Sequence, residues 1–249
     1  MPMLSELLDL PPRPLISIVG AGGKTTTMYT LAGELAQRGS RIITTTTTNI
    51  YFPKQGETDT LFVAAETPAL IILISAAWEQ HQRVTVAGKA IGADKIGGLQ
   101  LDQPYELLMK SGADVVIVEA DGARHGMIKA PAEHEPAVPP QTNVALLMMS
   151  AEAINQPLSE EVAHRPERVA AVLDINQGEV LTPALVAKLM MSEQGGMKNI
   201  PEMAKVYVLI THVMEERWDG VREVAELVRG SSRGANVYCS NQPGAWFVM

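Results

Sequence analysis

The sequence predicts an α/β fold of three layers, with a mostly parallel sheet between helices on both faces. Apolar runs of strand length alternate with segments of helical period over most of the chain. A glycine-rich turn, Gly20 to Gly23, separates the first such run from the first long helical pattern. A length of 249 residues, 46% of them hydrophobic and 19% charged, is enough for one large core. A single domain over residues 1–249 is therefore expected.

Residues 4–10 place leucines at helical spacing until Pro11, Pro12 and Pro14, which lack the amide hydrogen a helix needs. Residues 15–19 read as a buried strand, and residues 24–38 keep a helical period that Gly39 stops. Residues 41–48 include the threonines Thr44 to Thr48; side chains branched at Cβ suit a pleated surface, so a second strand is expected there, beside the first. Further strands are expected at 61–65, 84–87, 114–118, 144–150, 206–211 and 236–240, with helices at 70–80, 104–111, 183–191 and 219–229. Such alternation argues for parallel strands covered on both faces. Residues 129–141 break the pattern with Pro131, Pro136, Pro139 and Pro140, and are expected to form a long ordered loop insertion or a lid.

Acidic side chains outnumber basic ones by 28 to 20, giving a formal charge of −8, which argues against a broad nucleic-acid or anionic-membrane surface. Cys239 stands alone, so neither an internal disulfide nor a cysteine-rich metal site is available. Five scattered histidines lack the spacing of a zinc site. Without a secretory start or a long apolar span, a cytoplasmic setting is expected.

The string Gly20-Ala21-Gly22-Gly23-Lys24-Thr25-Thr26 has the context of a nucleotide phosphate loop, after a strand and at the start of a helix. Its glycines let successive amides turn toward an anion, and the helix start adds partial positive charge. Lys24 would reach the β and γ phosphates, and the Thr25 hydroxyl would bind Mg²⁺. The first glycine of the full eight-position pattern is replaced by Ile18, so the loop is a variant that resembles that of the Mur ligases. The expected architecture is accordingly that of P-loop NTPases.

A second motif closes the strand expected at 114–118, where Glu119, Asp121 and Gly122 follow the apolar run. Ligands of open α/β sheets bind at this carboxyl end. Alternation along a strand would send Glu119 and Asp121 to one side, where either could anchor Mg²⁺ and Asp121 could orient the attacking water. Thr46 or Thr48, ending the second strand, could act as a switch group, although threonine is also an ordinary strand residue. A guanine-reading Asn-Lys-x-Asp would fall at Thr211-His212-Val213-Met214, which offers no acidic residue; ATP is slightly favoured over GTP. Ser240 could contact the base. Lys129, Glu133, His134 and Glu135 follow the acidic strand end closely enough to reach a substrate, with His134 between two glutamates as a possible acid or base. Arg124, His125, His164 and Arg165 are weaker candidates of the same kind.

Together, Gly-Ala-Gly-Gly-Lys-Thr-Thr-Thr, the threonine strand, Val-Glu-Ala-Asp-Gly-Ala and Lys-Ala-Pro-Ala-Glu-His-Glu-Pro resemble the YqeC family over nearly the whole chain. The resemblance implies an accessory role in maturation of a selenium-dependent molybdenum hydroxylase, in company with that enzyme or its cofactor-assembly proteins, timed or powered by ATP or GTP with Mg²⁺. Two other functions are compatible with the motifs. One is a kinase or ligase that passes the γ phosphate to a small acceptor at 129–135, and the other is a nucleotide-gated binding partner without turnover.

Overall fold

A computed structural model of the chain describes residues 2–123 and 126–249. In chain order its strands are β1 (Leu15–Gly20), β2 (Ile42–Thr46), β3 (Asn49–Tyr51), β4 (Thr60–Val63), β5 (Arg83–Ala87), β6 (Lys89–Ile91), β7 (Lys95–Gly97), β8 (Val115–Glu119), β9 (Ile128–Lys129), β10 (Val144–Ser150), β11 (Ala163–His164), β12 (Lys205–Thr211), β13 (Asn236–Gln242) and β14 (Ala245–Val248). The helices are α1 (Leu4–Leu7), α2 (Lys24–Gln37), α3 (Thr67–Ala77), α4 (Gln103–Lys110), α5 (Pro166–Leu173), α6 (Pro183–Met191) and α7 (Trp218–Arg229).

Nine strands make one sheet in the order β14-β13-β12-β10-β1-β8-β2-β5-β4, parallel except where β14 turns back along β13. Strand β1 sits at its centre, flanked by β10 and β8. Its residues Leu15 to Val19 are buried on both faces, as a continuous apolar run requires. Successive side chains then divide between two cores. Leu15, Val19, Val116, Val118 and Leu147 pack with residues of α3, α4, α5, α6 and α7, whereas Ile16, Ile18, Ile117 and Leu146 pack with residues of α1 and α2. Sheet and helices therefore form the three layers of a P-loop NTPase-like fold.

One expected adjacency fails. Strand β2 does not lie beside β1; β8 is inserted between them and pairs with both. Hydrophobic pattern specifies that a strand is buried but not its neighbour, and β8 brings an apolar run, Val115 to Val118, to that central place. Helix α3 also begins earlier than its apolar period suggests, because Pro68 lies in its first turn, where a missing amide hydrogen costs nothing. Helix α5 was not expected from periodicity; it too begins with a proline. After β13 a turn with Gly244 at φ +79° returns the chain antiparallel as β14.

The expected loop around 129–141 is irregular after the two residues of β9, yet it is fixed to the body. Ala137 N–H donates to the Ala120 carbonyl at 2.9 Å, Thr47 Oγ1 donates to the Ala137 carbonyl at 2.6 Å, and Asn199 Nδ2 donates to the Pro136 carbonyl at 2.9 Å. The short strands β9 and β11 pair in parallel and place His164 opposite Lys129.

Ile117 is fully buried between the centre of the sheet and α2. Ile117→Ala is expected to lower unfolding stability by about 3 kcal/mol through lost burial and a residual cavity, read from the midpoint shift in urea denaturation.

Candidate functional site

The loop between β1 and α2 is pressed against β10. A side chain at Gly20 would put its Cβ 2.2 Å from the Met148 carbonyl oxygen, and one at Gly22 would lie 2.6 Å from Ser150 N. Both residues also have positive φ, at +99° and +79°. Only glycine fits such an approach in that conformation. Two loop amides are consumed by the framework: Gly20 N–H donates to Asp121 Oδ2 at 3.0 Å and Ala21 N–H to the Met148 carbonyl at 2.9 Å. From Gly22 onward the situation changes. Helix α2 has Gly23 as its N-cap and no side-chain cap, so its first-turn amides open toward the loop with the positive end of the helix dipole behind them. At the outer end, Thr211 Oγ1 donates to the Gly22 carbonyl at 2.7 Å and ties β12 to the loop.

Strand β8 delivers the acids. Glu119 and Asp121 have the same parity as Ile117, so both face α2. Thr25 Oγ1 donates to Glu119 Oε2 at 2.6 Å. Lys24 Nζ donates to the Gly20 carbonyl at 2.7 Å and lies 3.2 Å from Asp121 Oδ1 and 4.0 Å from Glu119 Oε1. Burial pushes the Glu119 carboxyl up; the Lys24 charge and the Thr25 hydrogen bond pull it back down only in part, and Asp121 adds to the rise.

Asp121 is 2% exposed and sits between two ammonium groups, because Lys129 Nζ lies 3.1 Å from its Oδ2. Lys129 also donates to the Gly122 carbonyl at 2.5 Å and to Glu135 Oε2 at 2.9 Å. Arg165 closes the series, donating through Nη1 and Nη2 to the two oxygens of Glu135 at 2.6 and 3.2 Å. Burial alone would raise the Glu135 carboxyl; hydrogen bonds from Arg165 and Lys129, with their charges, overcome it and hold the group at about 2. The result is a run of alternating charge, Lys24, Asp121, Lys129, Glu135 and Arg165, from the phosphate loop to the start of α5.

The other sequence candidates are distributed unevenly. Lys129 and Glu135 join the network, whereas Glu133 and His134 face outward on the exposed turn of the same loop. Thr46 is buried, and its hydroxyl donates to the Glu119 carbonyl at 2.8 Å while accepting from Thr48 N–H at 3.0 Å, so both its roles serve the backbone. Ser240 lines a cleft beside Gly22, Gly23 and Thr26, with its own hydroxyl bonded to the Gln242 carbonyl at 2.5 Å. Arg124 and His125 lie outside the described residues. Arg165, a minor candidate by sequence, proves to be a direct partner of Glu135; nothing local in Ala-His-Arg-Pro marks it, since the contact spans 30 positions. The tie from Thr211 to the loop likewise needed the tertiary arrangement, although its place at a strand end was legible.

Mg²⁺ fits this donor set. The Thr25 hydroxyl and a Glu119 carboxylate oxygen stand together at the carboxyl end of the sheet, and Asp121 Oδ1 is buried without a hydrogen bond among the described residues. Among those residues there is no cluster of three or more histidine, cysteine, aspartate and glutamate side chains that could cage a metal by itself. A cation that takes one or two protein oxygens and completes its shell with phosphate and water suits such a place.

A family model described as YqeC protein matches residues 16–167, which include the phosphate loop, the acids of β8 and the chain through Arg165. The protein of Escherichia coli (strain K12) described as "Uncharacterized protein YqeC" is 28% identical over 194 residues, covering 76% of this chain and 72% of that one. Among solved structures, FtsY from Mycoplasma mycoides aligns with 94% of this chain and 54% of its own, at 12% identity and a TM-score of 0.35. The signal recognition particle receptor FtsY from Elizabethkingia anophelis aligns with 94% and 61%, at 15% identity and a TM-score of 0.42. The chain thus spans little more than half the length of these two solved proteins, and the fold assignment rests on its own strand order and loop.

Asp121→Asn leaves Lys24 and Lys129 buried with one counter-charge fewer. A loss of about 3–5 kcal/mol in unfolding stability is expected from chemical denaturation. For Glu135, folding depresses the carboxyl, so its stabilising contribution is complete above the ordinary value of 4.5 and drains away as pH falls through about 2. Thermal unfolding midpoints of Glu135→Gln should start lower at neutral pH and fall less steeply than the parent's over that acid range.

Proposed function

The chain belongs to the YqeC family, and from the geometry of its phosphate loop we propose that it is a Mg²⁺-dependent nucleoside triphosphatase. The observation that carries this reading is the conjunction, on one face of the sheet, of uncapped first-turn amides, the Lys24 ammonium and the Thr25–Glu119 pair. Anion capture uses the amides from Gly22 to Thr25, together with Lys24, which exchanges the Gly20 carbonyl for phosphate oxygens. Thr25 and Glu119 would hold Mg²⁺, which would supply neutralising charge to the β and γ phosphates.

Asp121 acts here as a positioning group. Its carboxylate fixes Gly20 N–H and lies between Lys24 and Lys129, which aligns the lysine with the loop. Hydrolysis through such a site depends on positioning and charge stabilisation more than on a strong base. Transfer to an acceptor at 129–135 finds less support, because Lys129 and Glu135 already engage each other and Asp121. The client assignment, maturation of a selenium-dependent molybdenum hydroxylase, rests on the family resemblance. It predicts that cells lacking this protein accumulate that hydroxylase in an inactive form and regain activity with the parent gene but not with Lys24→Ala.

For nucleotide binding itself, Lys24→Ala should weaken triphosphate affinity by about 10- to 100-fold in calorimetric titration, the range of a charge-assisted hydrogen bond. Thr25→Ala should keep Mg²⁺-free affinity and lose most of the gain that Mg²⁺ confers. Phosphate release that is equal in the parent and both variants would remove the basis of this reading.

A further inference from the structure

Gly22 and Gly23 form one wall of a cleft whose far side is the turn between β13 and β14. The cleft encloses about 120 Å³ accessible to water, opens to solvent, and has Leu4, Pro243 and Trp246 among its lining residues. Its lining of glycine, threonine, proline and tryptophan suits the flat face of a heterocycle. Trp246 is 2% exposed, and its Nε1–H has no acceptor among the described residues. An indole can only donate, and a buried donor of this kind is normally satisfied, which leaves this N–H available to an acceptor on an occupant of the cleft. The cleft shares Gly22 and Gly23 with the anion site proposed above and has Thr26 on the same wall, so the two are contiguous.

We propose that this cleft seats the base of an adenine nucleotide, with Trp246 Nε1–H donating to a ring nitrogen of the purine. The inference rests on the phosphate-loop reading above and extends it to the base. Adenine presents acceptor ring nitrogens and one exocyclic amine, which the side-chain carbonyl of Asn241 or Gln242 on the exposed turn accepts. Guanine presents donors at N1 and N2 that call for a carboxylate, and no aspartate or glutamate lines the cleft among the described residues. Strong discrimination follows from leaving such groups unpaired. Trp246 and the turn lie beyond the matched residues 16–167.

The test is calorimetric and fluorescence titration of the full chain with ATP, GTP and inorganic tripolyphosphate, each with Mg²⁺. In the parent, ATP should bind at least about tenfold more tightly than GTP and change tryptophan emission, while tripolyphosphate binds without that change. Trp246→Phe keeps an aromatic ring and removes the donor; ATP affinity should fall about tenfold, with tripolyphosphate affinity unaltered and the emission change lost. Should that variant fail to fold, Asn241→Ala with Gln242→Ala on the exposed turn should shrink the advantage of ATP over GTP. Equal affinity for ATP in the parent and Trp246→Phe, a preference for GTP, or an undiminished ATP advantage in the turn variant would each overturn the base assignment while leaving tripolyphosphate binding and its dependence on Lys24 intact. Absence of binding by both ATP and tripolyphosphate would instead overturn the phosphate-loop reading, and this inference with it.

Discussion

A carboxylate withdrawn from water is held in place by the charges around it, and Asp121 is where that requirement shapes the site. It lies at the end of a central strand, receives the amide of Gly20 and has Lys24 on one side and Lys129 on the other. Moving any of these groups would leave a buried charge uncompensated, a cost that confines the loop to its present course. Charge burial thus does for the inner half of the loop what glycine sterics do for its contact with β10.

Sheet geometry makes this arrangement possible. Side chains alternate along β8, so one register decision places Ile117, Glu119 and Asp121 on the α2 face together. Because β8 is inserted beside β1, those acids meet the loop that leaves β1 and the first turn of α2 directly. Had β2 taken that place, its threonines would have faced the loop, with hydroxyls in place of carboxylates. Thr46 instead stabilises the end of β8 by donating to the Glu119 carbonyl.

The same logic links the phosphate loop to a distant part of the chain. Lys129 joins Asp121 to Glu135, and Glu135 joins Lys129 to Arg165 at the head of α5. Static ion pairs thus connect the loop, the proline-rich segment and the head of α5. That segment is also anchored through its backbone by Thr47, Asn199 and Ala120.

Local pattern was sufficient to place most strands of the main sheet and the helices other than α5. Period, proline stops and β-branched runs located the strands of the main sheet up to β13, and Gly20 to Thr26 read as a phosphate loop because its requirements, glycine torsions followed by a lysine and a hydroxyl at a helix start, are contiguous in sequence. Neighbourhood was decided only by the tertiary structure. The insertion of β8 beside β1, the return of β14, the engagement of Lys129 and Glu135 while His134 stays outside, and the partnership of Arg165 with Glu135 all depend on which surfaces pack across many intervening residues. Periodicity records whether a side chain is buried; which opposite charge or which strand edge buries it is set by the fold as a whole.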